Sequence, residues 1–156
     1  MLVDKPWPEL TRQEAKAYLA QFVAEQPQRI DQLRRLSEAT GGPTAEELDL
    51  GPDSLVALWR WARQRLSWNE GYEPPRDAGW PASRRPGPED LPPLAELPSW
   101  AGGDIRDAAE FSPDTLWLID MVARYFAEVA RRGHPAAQWR AGHSRIRATP
   151  SRTARC

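Results

Sequence analysis

Three side chains in one predicted helix have the types that acid–base catalysis needs. Asp120, Tyr125 and Glu128 lie close together in the sequence, and carboxyl and phenol groups can transfer protons to a substrate. One interpretation is therefore an enzyme whose cleft holds all three groups. We favour a second interpretation, in which Asp120–Arg124 and Glu128–Arg132 form surface ion pairs at four-residue spacing on a helix.

Other chemical groups are sparse. His134 and His143 are the only histidines, and neither has the spacing of a metal site or a catalytic triad. The only cysteine is Cys156, which cannot form an internal disulfide. We therefore predict no catalytic residue, no metal and no cofactor.

Tryptophan is the residue type that points to a binding surface. The chain has eight tryptophans, which can fill a core or, together with arginine, form the hot spots of an interface. Trp59 and Trp61 cannot share one helical face, so if Trp59 is buried, Trp61 points elsewhere, toward the proline-rich segment or a partner. The candidate residues for binding a partner protein are Trp61, Trp68, Trp80 and Trp100.

The C-terminal part of the chain is strongly basic. Residues 129–156 contain seven arginines and no acidic residue, so this segment carries +7 and the remainder −8. An acidic body with a basic tail is one pattern of polyanion binding, although a solvated tail has the same composition. The candidate residues for binding a polyanion are Arg140, Arg145, Arg147, Arg152 and Arg155.

A central helix over 113–132 must position these groups. Ser112 is suited to cap it, Pro113 to occupy its first position, and Gly133 to end it after two arginines. Apolar residues occur almost all the way around this helix, which predicts a core position.

Further helices are predicted on the N-terminal side. A capping box of Thr11 and Glu14 begins a helix over 12–25, which Pro27 ends or kinks. A second amphipathic segment covers 28–40, a single turn follows Thr44, and another helix covers 52–66. The start of that helix resembles residues 113–124 at an offset of 61, which indicates either an internal duplication or the same helix-start chemistry used twice.

The predicted fold is mainly α. It is a compact bundle of about four helices around the central helix 113–132, wrapped by a proline-rich extended segment over 69–99. A short β element is possible near 138–141. We predict one helical domain over 1–140 and a disordered basic tail over 141–156.

Four short motifs within these elements form a pattern. It comprises Leu50-x-Pro-Asp-Ser-Leu55 with Trp59, then Ser112-Pro-Asp-Thr-Leu116, Tyr125 to Val129 and Pro135 to Trp139. Over about 45–140 the chain resembles a group of small uncharacterised actinobacterial proteins. The resemblance implies a mainly helical fold and a GC-rich bacterial source, and it implies no activity.

The leading functional hypothesis is a non-enzymatic protein-interaction module, such as an adaptor or an immunity-type inhibitor. The first alternative is a nucleic-acid-associated protein that acts through its basic tail. The second is an enzyme with a cleft under the proline-rich segment. No apolar run reaches membrane-span length and no signal peptide is evident, so we expect a cytoplasmic protein without membrane contact.

Overall fold

The computed structural model describes residues 10–68, 98, 100 and 111–141. They form three helices, α1 (Arg12–Ala39), α2 (Ser54–Ala62) and α3 (Pro113–Gly133). Within these ranges there is no β-strand, and a single β-bridge joins Trp68 to Phe111. The described part is therefore mainly α, and none of its helices is long and apolar enough to cross a membrane.

Helix α1 extends beyond Pro27, where the sequence predicts that a helix ends or kinks. It begins at the predicted capping box, in which Thr11 Oγ1 accepts from the Glu14 amide (3.2 Å) and Glu14 Oε2 accepts from the Thr11 amide (2.8 Å). Pro27 does not end the helix, so the expected segments 12–25 and 28–40 are one element. Beyond Pro27, Leu33 and Leu36 are fully buried in the core. Their burial stabilises the helix enough to offset the hydrogen bond that proline removes.

Helix α3 is the centre of the core, as the sequence predicts. Ser112 Oγ accepts from the Thr115 amide at the start of the helix (3.2 Å). Leu118, Met121 and Tyr125 are completely buried. Helices α1 and α2 both pack against α3, so α3 positions the rest of the described chain.

Helix α2 starts differently from α3 despite the similar sequence. Asp53 makes no side-chain cap hydrogen bond, and the preceding turn is held by the Tyr125 hydroxyl. That hydroxyl accepts from the Leu50 amide (2.9 Å) and bonds to Ser54 Oγ (2.7 Å), while Ser54 Oγ donates to the Gly51 carbonyl (2.6 Å). The sequence similarity therefore does not extend to the geometry of the two helix starts.

The possible β element near 138–141 is absent. Residues 137–141 have no regular structure, because a lone strand has no neighbour to pair with. Trp139 instead meets the Phe22 ring of α1 edge-on, with the ring centroids 5.5 Å apart. Of the proline-rich segment 69–99, only Pro98 is described, and it is buried; the rest lies outside the described residues.

Candidate interaction surface on helix α2

Helix α2 has one buried face and one exposed face. The buried face consists of Ser54, Leu58, Trp61 and Ala62. The opposite side carries Val56, which is 63% exposed, and Trp59, which is 52% exposed. With the residues that surround them, they form what we term the α2 face, defined as Leu55, Val56, Trp59, Arg60 and Arg63.

Trp61 is the buried tryptophan of α2, so the condition under which its side chain was expected to point elsewhere, the burial of Trp59, is not met. Trp61 is 5% exposed, its Nε1 donates to Thr40 Oγ1 (3.2 Å), and the Arg65 guanidinium lies over its ring at 5.0 Å. Gly42 makes room for it, because a Cβ atom at this position would overlap the indole ring. The glycine in the turn after α1 therefore leaves the space that the Trp61 side chain occupies in the core.

The exposure of Trp59 follows from the same packing. Residues 54, 58, 61 and 62 share one side of a 3.6-residue helix, and Trp59, about 100° around the axis from Leu58, lies outside that side and is half exposed. The spacing of Leu58, Trp61 and Ala62 fits a buried side, but that of Leu55, Trp59 and Ala62 fits one equally well, so the sequence alone leaves the choice open. The residues predicted from the sequence to bind a partner do not include Trp59.

Two arginines flank the exposed tryptophan. Arg60 and Arg63 are exposed, and neither forms an ion pair within the described ranges 10–68 and 111–141. Together with Leu55, Val56 and Trp59 they line a shallow depression of about 370 Å³. An apolar centre with cationic neighbours is the composition that favours protein recognition.

The other predicted tryptophans lie elsewhere. Trp68 stacks on Phe111, with ring centroids 4.8 Å apart and planes 15° apart. Trp100 donates from Nε1 to Asp120 Oδ1 (3.1 Å). Trp80 lies outside the described residues, and the structure does not bring Trp61, Trp68 and Trp100 together on the α2 face.

The predicted polyanion-binding residues fall mostly beyond the described ranges. Arg140 is exposed. Arg145, Arg147, Arg152 and Arg155 lie outside the described residues, as does the whole predicted tail after residue 141.

The three side chains suggested for acid–base chemistry have separate partners. The Tyr125 hydroxyl is engaged by Leu50 and Ser54, whereas the Asp120 carboxylate accepts from Arg124 and from Trp100. The Glu128 carboxylate accepts from Gln26, Arg131 and Arg132, so no partner is shared among the three groups in the hydrogen bonds of the described residues.

The predicted surface ion pairs differ in their surroundings. Asp120 and Arg124 are buried, with 2% and 3% of their side chains exposed and 2.8 Å between Oδ2 and Nε, so the expectation of a surface pair is wrong there. The Glu128–Arg132 pair is present at 3.2 Å. The hydrogen bond from Arg131 is the main reason why the pKa of Glu128 is lowered below its ordinary value of 4.5, with a further contribution from Arg132.

Comparisons of the chain with protein-family models, curated proteins and solved structures found no match. The resemblance to actinobacterial proteins therefore gains no support from them. In the described part of the chain, no three His, Cys, Asp or Glu side chains are grouped closely enough to hold a metal ion.

Proposed function

We propose that this protein is a cytoplasmic, non-enzymatic protein-interaction module that binds its partner through the α2 face. The observation that carries the proposal is the half-exposed Trp59 on the outer side of a helix whose inner side is buried. An adaptor and an immunity-type inhibitor both fit this description.

The composition of the α2 face supports a specific interface. Tryptophan and arginine are the residue types most enriched at interface hot spots, where an apolar centre is surrounded by polar groups that exclude water. Trp59 and Val56 supply the apolar centre, and Arg60 and Arg63 supply the surrounding groups. Contact between this apolar surface and water is unfavourable in the free protein, so burial of the surface by a partner would favour binding.

The charges of the α2 face indicate the chemistry of the partner. Because Arg60 and Arg63 lack ion-pair partners in the described part of the chain, a complementary surface would place carboxylates opposite them. We therefore propose a partner with an apolar pocket for Trp59 and an acidic rim. Complementary charge of this kind mainly accelerates association and excludes wrong partners.

A capture experiment with matched variants tests the proposal. The full chain, its Trp59→Ser and Arg60→Glu variants and a Phe126→Ser control are immobilised and exposed to nuclease-treated lysate from the source organism. Phe126 is 58% exposed on α3, so its variant removes an exposed aromatic ring elsewhere. We expect wild type and Phe126→Ser to retain the same protein at near-equimolar amounts, and Trp59→Ser to weaken binding about 30-fold, as for a hot spot.

The other outcomes separate the alternatives. Equal retention by all four proteins would show that the partner uses a different surface. Material retained only when nuclease is omitted would favour nucleic-acid binding through the basic tail. Thermal unfolding of each variant checks that the fold is intact. Replacing an exposed residue should change the free energy of unfolding by no more than about 0.5 kcal/mol.

A further inference from the structure

The charges on the outer side of α2 are divided between its two ends. Asp53 precedes the helix and Arg63 follows it, and both side chains are exposed. Neither forms an ion pair within the described ranges 10–68 and 111–141, and Asp53 makes no side-chain cap hydrogen bond. The helix therefore presents an acid at one end and a base at the other, each without an ion-pair partner in this part of the chain.

These two residues lie on the same line along the helix. Both have helical backbone angles, with φ and ψ of −68° and −29° at Asp53 and of −59° and −24° at Arg63, so helical spacing extends from 53 to 63. Positions 53, 56, 60 and 63 follow each other at steps of three, four and three residues, which places them on one side of a helix. We term Asp53, Val56, Arg60 and Arg63 the outer stripe. All four are exposed, and the stripe is about 15 Å long.

The order of charges along the outer stripe makes it complementary to itself. If two copies of α2 run antiparallel about a two-fold axis at the level of position 58, position 53 of each copy lies level with position 63 of the other, because both are equally far from position 58. Asp53 of one copy then faces Arg63 of the second copy, and the same contact occurs twice. A parallel pair would place like charges opposite each other, so the charges favour the antiparallel arrangement.

The exposed apolar residues of α2 lie near the centre of this arrangement. Trp59 directly follows position 58 and Val56 precedes it by about half a turn, so both side chains are close to the two-fold axis. They are 52% and 63% exposed in the single chain, and pairing would cover them with the same groups of the second copy. Apolar and aromatic groups at the centre with charged groups at the rim are the usual organisation of a protein interface.

We propose that, before another partner binds, two copies of this chain pair through the outer stripe and Trp59, with their α2 helices antiparallel. The inference rests on the proposed function in treating the α2 face as a binding surface, and it names the occupant that a partner must displace. One short helix per copy buries less surface than the roughly 1,200–2,000 Å² that stable interfaces bury. The dimer is therefore weak and forms at high protein concentration.

Sedimentation equilibrium of the full chain tests for the dimer. We expect the average mass to rise from that of one chain towards twice that mass between about 10 µM and about 1 mM, as for a transient interface. Trp59→Ser should weaken association at least about ten-fold, because it removes the aromatic group at the centre. Phe126→Ser, which removes an exposed ring on α3, should leave association unchanged.

Two charge-reversal variants test the antiparallel arrangement. A dimer of Asp53→Lys would bring two cations together at both contacts, and a dimer of Arg63→Glu would bring two anions together. Each variant alone should therefore associate at least about ten-fold more weakly than wild type, because two contacts change from attraction to repulsion. When the two variants are mixed in equal amounts, both contacts of the heterodimer again join opposite charges. We expect its affinity to lie within about three-fold of that of wild type.

Circular dichroism checks that each variant folds, and if a charge variant does not fold, the comparison of Trp59→Ser with Phe126→Ser decides. The pairing is overturned if wild type is monomeric at about 1 mM, if Trp59→Ser associates as strongly as wild type, or if the mixed charge variants associate no better than either alone.

The capture experiment separates these failures from a failure of the proposed function. A chain that stays monomeric but retains a partner protein through Trp59 would overturn the pairing and support the proposed function. A dimer that depends on Trp59, formed by a chain that retains no other protein through this residue, would support the pairing and contradict the proposed function.

Discussion

Two ion pairs on α3 have the same four-residue spacing and very different surroundings. Asp120 and Arg124 are buried, whereas in the second pair Glu128 has 12% and Arg132 has 53% of its side chain exposed. The difference lies in what α1 contributes. Arg124 also donates to the Phe22 carbonyl (2.6 Å) and lies 3.7 Å from the centroid of the Phe22 ring, whereas the partner of Arg132 among the described residues is Glu128 on α3 itself.

Four-residue spacing on a helix therefore allows an ion pair to form, but it does not determine how much that pair contributes to the free energy of unfolding. A buried pair has lost its hydration, so removing one member leaves an uncompensated charge in the interior. An exposed pair stays hydrated, and its members separate at little cost. We therefore expect the two pairs to respond very differently to the same type of substitution.

Replacing Arg124 should have the largest effect. Arg124→Met keeps the aliphatic volume but leaves Asp120 buried without its cation, so we expect a loss of about 3–5 kcal/mol in the free energy of unfolding. Urea denaturation measures this loss. The Asp120→Asn/Arg124→Met double variant should recover part of it, because the buried charge is then absent. A loss below about 1 kcal/mol would mean that the buried pair contributes no more to the free energy of unfolding than the exposed pair.

Replacing Tyr125 should have an intermediate effect. Tyr125→Phe removes a hydroxyl that is buried like the Asp120–Arg124 pair but is uncharged, and it leaves the Leu50 amide and Ser54 without that partner. We expect a loss of about 1–3 kcal/mol. A double-mutant cycle with Ser54→Ala should show a combined loss smaller than the sum of the two single losses. Full additivity would show that the hydroxyl network does not act as a unit.

Replacing Glu128 should have the smallest effect, with a characteristic pH dependence. Glu128→Gln should cost less than about 1 kcal/mol, since its arginine partners are half exposed. The pKa of Glu128 is lowered in the folded protein, so its ionised form stabilises the fold above the unfolded-state pKa of about 4.5, and this contribution is lost as the pH falls below that value. The free energies of unfolding of wild type and variant should therefore differ most at pH 7 and approach each other as the pH is lowered below about 4.5. A difference that stays constant over this range would contradict the assignment.

Local patterns predicted the helix starts well. Thr11 with Glu14 forms the capping box that the residue types indicate, and Thr44 with Glu47 forms the same pair of hydrogen bonds before a single turn. Ser112 caps α3 as expected. These interactions join residues three apart, so their geometry depends on the backbone of one turn and hardly on the rest of the molecule.

The candidate site was harder to predict because it depends on contacts between distant residues. Trp59 and Trp61 are equally apolar, and the choice between them depends on the cavity that Gly42 leaves beside α2. The burial of Arg124 depends on Phe22, which is 102 residues away in the sequence. Neither contact leaves a periodic signal in the sequence.

The residue pattern alone predicts the mainly helical class, the position of the central helix and the residues that begin α1 and α3. Those features follow from apolar periodicity and capping, which act over one or two turns. The tertiary structure alone decided that Pro27 lies inside a continuous helix, that Asp120 and Arg124 are buried, and that Trp59 is the exposed tryptophan of α2. The physical reason is that burial is a property of packing between segments, and packing can override the local preference of any single residue.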